Sequence, residues 1–188
     1  GMGGTGAQIA RSVARLAWGR FFQSQRPYEL QVEDGETTLH KAELSEHWVA
    51  GWERFFGTNR SGIEAVRVEA FRRRIDEPRT RYENLLEPLN FFPETEPDRV
   101  RIAPDESTSR GIELLVRGSR GTFLDWWVAY SYATARDRID GRDVPRALDQ
   151  PHSAVVNLDF RLPRDWRLDF AWRYHSGWPT TNVFAAEI

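Results

Sequence analysis

The 188-residue chain has no cysteine, one methionine and a single lysine, Lys41, and it has no excess of either charge: 26 Lys plus Arg stand against 28 Asp plus Glu. Without cysteine there is no disulfide, no thiolate zinc site and no thiol nucleophile. That leaves the compartment open. A formal net charge of -2 lacks the clustered excess of cations that binding nucleic acid by bulk electrostatics requires, so no nucleic-acid partner is expected. No stretch approaches the roughly 18 consecutive apolar residues of a transmembrane helix. A helical membrane protein is thereby excluded, but a membrane barrel is not, because its strands alternate and keep the mean hydropathy low. Residue 1 is Gly, and the first residues lack the basic segment, apolar core and small-residue cleavage site of an export signal. The expectation is a processed or internal piece of a longer chain.

What the chain does have is aromatic and β-branched residues in strict alternation. It carries 8 Trp, 5 Tyr and 11 Phe, too many for a disordered polymer. After residue 45 a step of two picks out apolar faces almost everywhere, whereas steps of three and four give no helical stripe. Trp166, Leu168, Phe170, Trp172 and Tyr174 share one face, with Arg167, Asp169, Ala171, Arg173 and His175 on the other. Ala154, Val156, Leu158, Phe160 and Leu162 alternate in the same way with Ser153, Val155, Asn157, Asp159 and Arg161, and Pro163 to Asp165 joins the two runs as a tight hairpin. A second hairpin is expected from Ile112–Arg117 and Leu124–Tyr132 across Gly118 to Gly121. A third joins His47–Glu53 to Val66–Arg73 across Gly57 to Gly62. Residues 12 to 22 read as one more strand, in which Arg15 and Arg20 have opposite parity, so that its register is open or a bulge intervenes. The fold expected is all-β, an antiparallel meander of about seven strands.

The connections alternate long and short: residues 23 to 44, 76 to 109 and 137 to 150 are long, and the three hairpin turns are short. A soluble sandwich has no reason to make every second connection long, and structureless loops beyond about 12 to 15 residues are uncommon in compact domains. An outer-membrane barrel has such a reason, with short turns on one side of the bilayer and long loops on the other. The faces agree with that reading. Trp48, Trp52, Trp126, Tyr130, Tyr132, Trp166, Trp172 and Tyr174 enrich the apolar face near strand ends, where amphipathic rings sit at head-group level. The other face carries Arg67, Glu69, Arg73, Glu113, Arg117, Asp125, Asp159, Arg161, Arg167, Asp169, Arg173 and His175, both signs interspersed along and across strands, as a wet lumen would have it. A soluble sheet with a solvated face would alternate in the same way. A soluble β-sandwich or barrel binding carbohydrate or protein is the alternative reading, and an enzyme on such a sheet comes third.

Several word-like stretches carry a family resemblance. They are Trp18-Gly19-Arg20-Phe21-Phe22-Gln23-Ser24-Gln25, Arg81-Tyr82-Glu83-Asn84-Leu85, Glu96-Pro97-Asp98-Arg99-Val100, Ser109-Arg110-Gly111-Ile112-Glu113-Leu114, and the run from Asp149-Gln150-Pro151-His152 to Tyr174-His175-Ser176-Gly177-Trp178-Pro179. Together they resemble the C-terminal part of a TonB-dependent outer-membrane receptor, over nearly the whole chain. The resemblance implies a transmembrane barrel of about 22 strands around a plug, residence in the bacterial outer membrane, and energy-coupled uptake of a scarce nutrient such as a ferric siderophore. Residues 1–188 would then be a partial barrel domain. The implied partners are outer-membrane lipid, the plug and remaining strands of the same receptor, a TonB-type energy-coupling protein reached through segments outside this chain, and a small nutrient ligand. No cofactor and no chemical step are implied.

For the ligand, the family implication points to outer loops and the upper lumen, where Arg26, Tyr28, Arg79, Arg81, Tyr82, Phe91, Phe92 and Arg99 are the candidates. Arginine and aromatic side chains suit an anionic or aromatic chelate through bidentate hydrogen bonding and stacking; the plainer reading is that they pack the loops onto the rim. His40, His47, His152 and His175 lie in separate segments without metal-ligand spacing. Asp137, Asp140 and Asp143 crowd one loop without the pattern of a calcium site and read as a solvated turn. Glu69 with Glu113, or Asp159 with Asp169, could be drawn as a glycosidase's acid and base. Interleaved arginines make paired charges in a polar interior the more economical reading, and no serine sits in a Gly-x-Ser-x-Gly elbow.

Overall fold

In the computed structural model, residues 11–56, 62–84 and 98–179 are described. They form ten strands: β1 (Arg11–Gln23), β2 (Glu43–Phe55), β3 (Ile63–Asp76), β4 (Arg81–Asn84), β5 (Arg99–Ile102), β6 (Glu106–Arg120), β7 (Leu124–Ile139), β8 (Arg142–Pro145), β9 (His152–Arg161) and β10 (Arg167–His175). The main sheet runs β1-β2-β3-β6-β7-β9-β10, every neighbour antiparallel, with β8 folded back on the end of β7. These seven long strands are the meander that the alternation predicts. The strands reach further than the pattern does. β3 runs to Asp76, β6 starts at Glu106 and β7 continues to Ile139, while the 76–109 connection holds a separate hairpin, β4-β5.

The register of β1 is continuous from Arg11↔Phe55 to Gln23↔Glu43, so no bulge is needed there. Arg15 faces one side and approaches Glu53 at 3.5 Å, whereas Arg20 faces the other and lies 3.8 Å from Glu46. The irregularity falls instead in β3 against β6, between Ile63 and Ala65. There Gly62 has a φ of +70°, and Gly118 brings the two backbones so close that an added Cβ would lie 1.9 Å from the Gly62 carbonyl oxygen. Only glycine lets the chains meet in this way.

From Ala65 onward, every pair between the seven long strands joins residues of like parity. One face is therefore built from even-numbered residues of seven strands and the other from odd-numbered ones. Leu16, Trp18, Trp48, Trp52, Ile112, Tyr130, Tyr132, Leu168, Phe170, Trp172 and Tyr174 on the even face are exposed. The buried hydrophobic residues among those described are Ala65 and Ile75. A single layer with its apolar side uncovered is not a sandwich. β1 and β10 form the two edges and do not pair with each other among the described residues.

The short turns gather at one end. Between β9 and β10, Arg164 and Asp165 both have φ near +60° (62° and 60°) and Leu162 N–H donates to Trp166 O at 2.8 Å, the geometry of a tight hairpin whose twist matches its strands. All the long connections lie at the opposite end.

Candidate functional site

The long loops are laced to one another and to the odd-numbered face by charge-assisted bonds. In the first loop two short 3-10 turns, Pro27–Glu29 and Val32–Asp34, turn their carboxylates toward the β4-β5 hairpin. Arg79 bridges Glu29 at 3.0 Å and Glu43 of β2 at 3.2 Å, and its backbone N–H donates to Glu43 at 2.7 Å. Arg99 pairs with Asp34, donates to Asn84 Oδ1 at 3.0 Å, and has its guanidinium 5.9 Å from the centre of the Tyr82 ring. The Tyr82 N–H donates to Gln31 at 3.1 Å. Gln25, buried, accepts from His40 N–H at 2.8 Å and donates to Glu29 O at 3.3 Å.

Asp137 is the point on which the loops converge. It is 2% exposed and accepts from Ser107, Arg81 and Arg146, the last at 3.2 Å. The expectation of a solvated turn fails for this residue. β7 extends past it, and its buried carboxylate is satisfied by the partly buried Arg81 and the more exposed Arg146, which come from different loops. Asp140 and Asp143 remain at the surface beyond it.

The arginines of the hairpin stay ionised. Burial pulls Arg81 down, but its bonds to Glu83 and Asp137 outweigh that and raise it above its ordinary value. Burial likewise pulls Arg79 down while Glu29 and Glu43 raise it further. Glu29 is held below the usual carboxylate range, first by the Arg26 N–H and then by Arg79. For Glu36 burial pushes up, but the Gln31 N–H and His40 bring the net shift down.

Between these groups lies a polar cavity of about 290 Å³, to whose wall Gln25, Glu29, Gln31, Glu43, Arg79 and Arg81 contribute. Of the predicted ligand residues, Arg79, Arg81, Tyr82 and Arg99 come together in or beside the hairpin, each bonded to another part of the rim. Arg26 and Tyr28 sit apart, joined by a 2.8 Å bond, with Tyr28 74% exposed. Phe91 and Phe92 lie outside the described residues. Glu29, Glu43 and Arg146 were not among the candidates, because no local pattern announces them and the Glu29 partner is 50 residues away; Asp137 stood out only as part of an aspartate cluster.

The odd-numbered face carries the predicted lumen residues, with one difference. Register sets several like charges opposite each other, Glu69 opposite Glu113, Asp125 opposite Asp159 opposite Asp169, and Arg161 opposite Arg167, whereas Glu53 stands opposite Arg67. Closer pairing runs along a strand or diagonally. Arg67 reaches Glu69 at 2.6 Å, Arg161 reaches Asp125, and Arg73 donates to Ser45 at 3.0 Å. Arg117 lies 5.9 Å from the centre of the Phe55 ring, and Arg167, Asp169 and Arg173 stand on the exposed edge strand β10. A depression of about 320 Å³ is lined in part by Arg67, Glu69, Glu113, Ser131 and Ser153. Both carboxylate pairs considered for hydrolysis are thus register neighbours on this charged surface.

A family model described as "TonB dependent receptor-like, beta-barrel" matches residues 10–185. No curated protein matches the chain.

Proposed function

We propose, since the chain belongs to the TonB-dependent receptor β-barrel family, that its even-numbered face meets lipid, its odd-numbered face lines the lumen, and its laced loops take part in capturing a ferric chelate for uptake. The family is one of outer-membrane receptors and transporters. The observation that supports the reading for this chain is the one-sided apolar sheet, whose large hydrophobic side chains are exposed with no second layer over them among the described residues, while the described parts of the long loops bond to the charged side. The two open edges call for further strands to close a barrel. Energy coupling and a plug would enter through such segments.

The ligand reading rests on chemistry. Arg26 and Tyr28 present an exposed guanidinium and phenol side by side, the pair that an anionic, aromatic chelate engages by hydrogen bonding and stacking. The hairpin arginines hold the rim in shape behind them. The test is binding of a panel, a ferric catecholate, a ferric hydroxamate, cobalamin and a maltooligosaccharide, to the chain folded in detergent. The catecholate should bind, and Arg26→Ala should weaken it by about tenfold, the worth of one charge-assisted bond. Tight binding of the sugar alone would refute the chelate assignment.

A further inference from the structure

The even-numbered face ends, on the long-loop side, in arginines that the loops do not use. Arg72, Arg74, Arg110, Arg136 and Arg138 all lie on this face, at the upper ends of β3, β6 and β7. Arg74 is taken up by Asp76 at 3.0 Å and Glu106 at 2.9 Å, and Arg138 lies 4.0 Å from Asp143. Arg72, Arg110 and Arg136 are exposed, and among the described residues none of the three forms an ion pair. Arg72 and Arg110 are direct register partners. Two cations opposite each other on adjacent strands repel, and the carboxylates beside them, Glu106 and Asp143, are paired with Arg74 and Arg138 instead.

With Thr108, Thr134 and Arg138, the three arginines line a groove of about 200 Å³ whose wall also carries two carboxylates, Glu106, which pairs with Arg74, and Asp143, 4.0 Å from Arg138. Below it the same strands continue without a break into Val68, Ala70, Ile112, Leu114 and Tyr132. A ligand filling the groove thus meets cations and hydroxyls at one end and a hydrocarbon surface at the other. That is the profile of an amphiphile with an anionic head. Arginine forks favour phosphate oxygens in particular.

We propose that this groove binds the phosphomonoester group of an outer-leaflet lipid, whose acyl chains lie along the apolar band beneath. The inference rests on the even-numbered face meeting lipid. It adds a specific annular site, built by Arg72, Arg110 and Arg136, that neutralises the opposed arginines.

The test uses the chain folded into phosphatidylcholine vesicles with brominated acyl chains, alone or with a minor fraction of phosphatidic acid or of phosphatidylserine. Tryptophan quenching reports insertion, and the partition constant reports the head-group preference. Phosphatidic acid should tighten partitioning by about tenfold to a hundredfold, since each arginine near an anionic surface adds roughly one kcal/mol. The triple substitution Arg72→Gln, Arg110→Gln and Arg136→Gln should abolish that preference while leaving quenching in plain phosphatidylcholine intact. Arg164→Gln, in the turn at the opposite end, should leave both unchanged. A preference that survives the triple substitution would overturn the site. An equal effect of phosphatidylserine, whose phosphate is a diester, would show a generic surface charge and overturn the phosphomonoester claim, and loss of the preference on adding inorganic phosphate would overturn the lipid as its source. Absence of quenching in every vesicle would defeat the membrane reading itself.

Discussion

Asp137 shows how much of the loop architecture depends on one side chain. Its carboxylate is the shared acceptor for Ser107 of β6, Arg81 of the hairpin and Arg146 beyond β8. Asp137→Asn keeps the shape but removes the charge, leaving two arginines on a neutral group. We expect a loss of about 3 kcal/mol in the docking of residues 77–84, the scale of breaking one partner from a largely buried ion pair. It would be read as faster amide exchange in the hairpin, with little change in strands β1 to β3. Gly118→Ala tests a different residue-scale constraint. Its Cβ would collide with the Gly62 backbone as well as with the Trp126 ring, so we expect about 2 to 3 kcal/mol of destabilisation, measured by urea unfolding from detergent.

Parity decides the strands. Leu114 lies between Val68 and Tyr130 on the even face, and its neighbour Glu113 lies between Glu69 and Ser131 on the odd face. Leu114→Arg should therefore cost about 2 to 4 kcal/mol of folding stability in vesicles, as a charge on the lipid face does. Glu113→Gln should cost well under 1 kcal/mol, because it eases the repulsion with Glu69. The first loop gives a pH prediction. Glu29 and Glu36 are both held below their ordinary 4.5, so their contribution to loop docking is fully present above that value and is lost as pH falls through the lowered folded values. Amide protection over residues 26–40 should persist at pH 5 and be lost on further acidification below the ordinary carboxylate range, whereas the strand ladder should outlast it. The strands were legible in the sequence because a period of two repeats over ten or more residues and every repeat adds to the signal. The loop site was legible only on its arginine side: Arg79, Arg81 and Arg99 stand out as residues, but Glu29, Glu43 and Asp34 become their partners through folding across 36 to 65 positions. The Gly62–Gly118 approach was equally silent, since two glycines in different turns do not announce that they meet.

At the scale of the whole molecule, the sheet has two faces and no core. Its stability as a folded object depends on what covers the even-numbered face, because burial of Trp, Leu, Phe and Tyr supplies the main favourable term and no second layer among the described residues provides it. In water the chain should aggregate through that face and through the unpaired edges β1 and β10; light scattering should rise on dilution from detergent into buffer and fall again on adding vesicles. The most direct measurement exploits two adjacent tryptophans, Trp126 on the even face and Trp127 on the odd face. Variants that keep only one of them as the chain's tryptophan, inserted into vesicles with brominated acyl chains, separate the faces one residue apart. Strong quenching of Trp126 with little quenching of Trp127 is the result this structure predicts. Equal quenching of the two, or none of either, would contradict a sheet that turns one face to lipid and the other to a lumen.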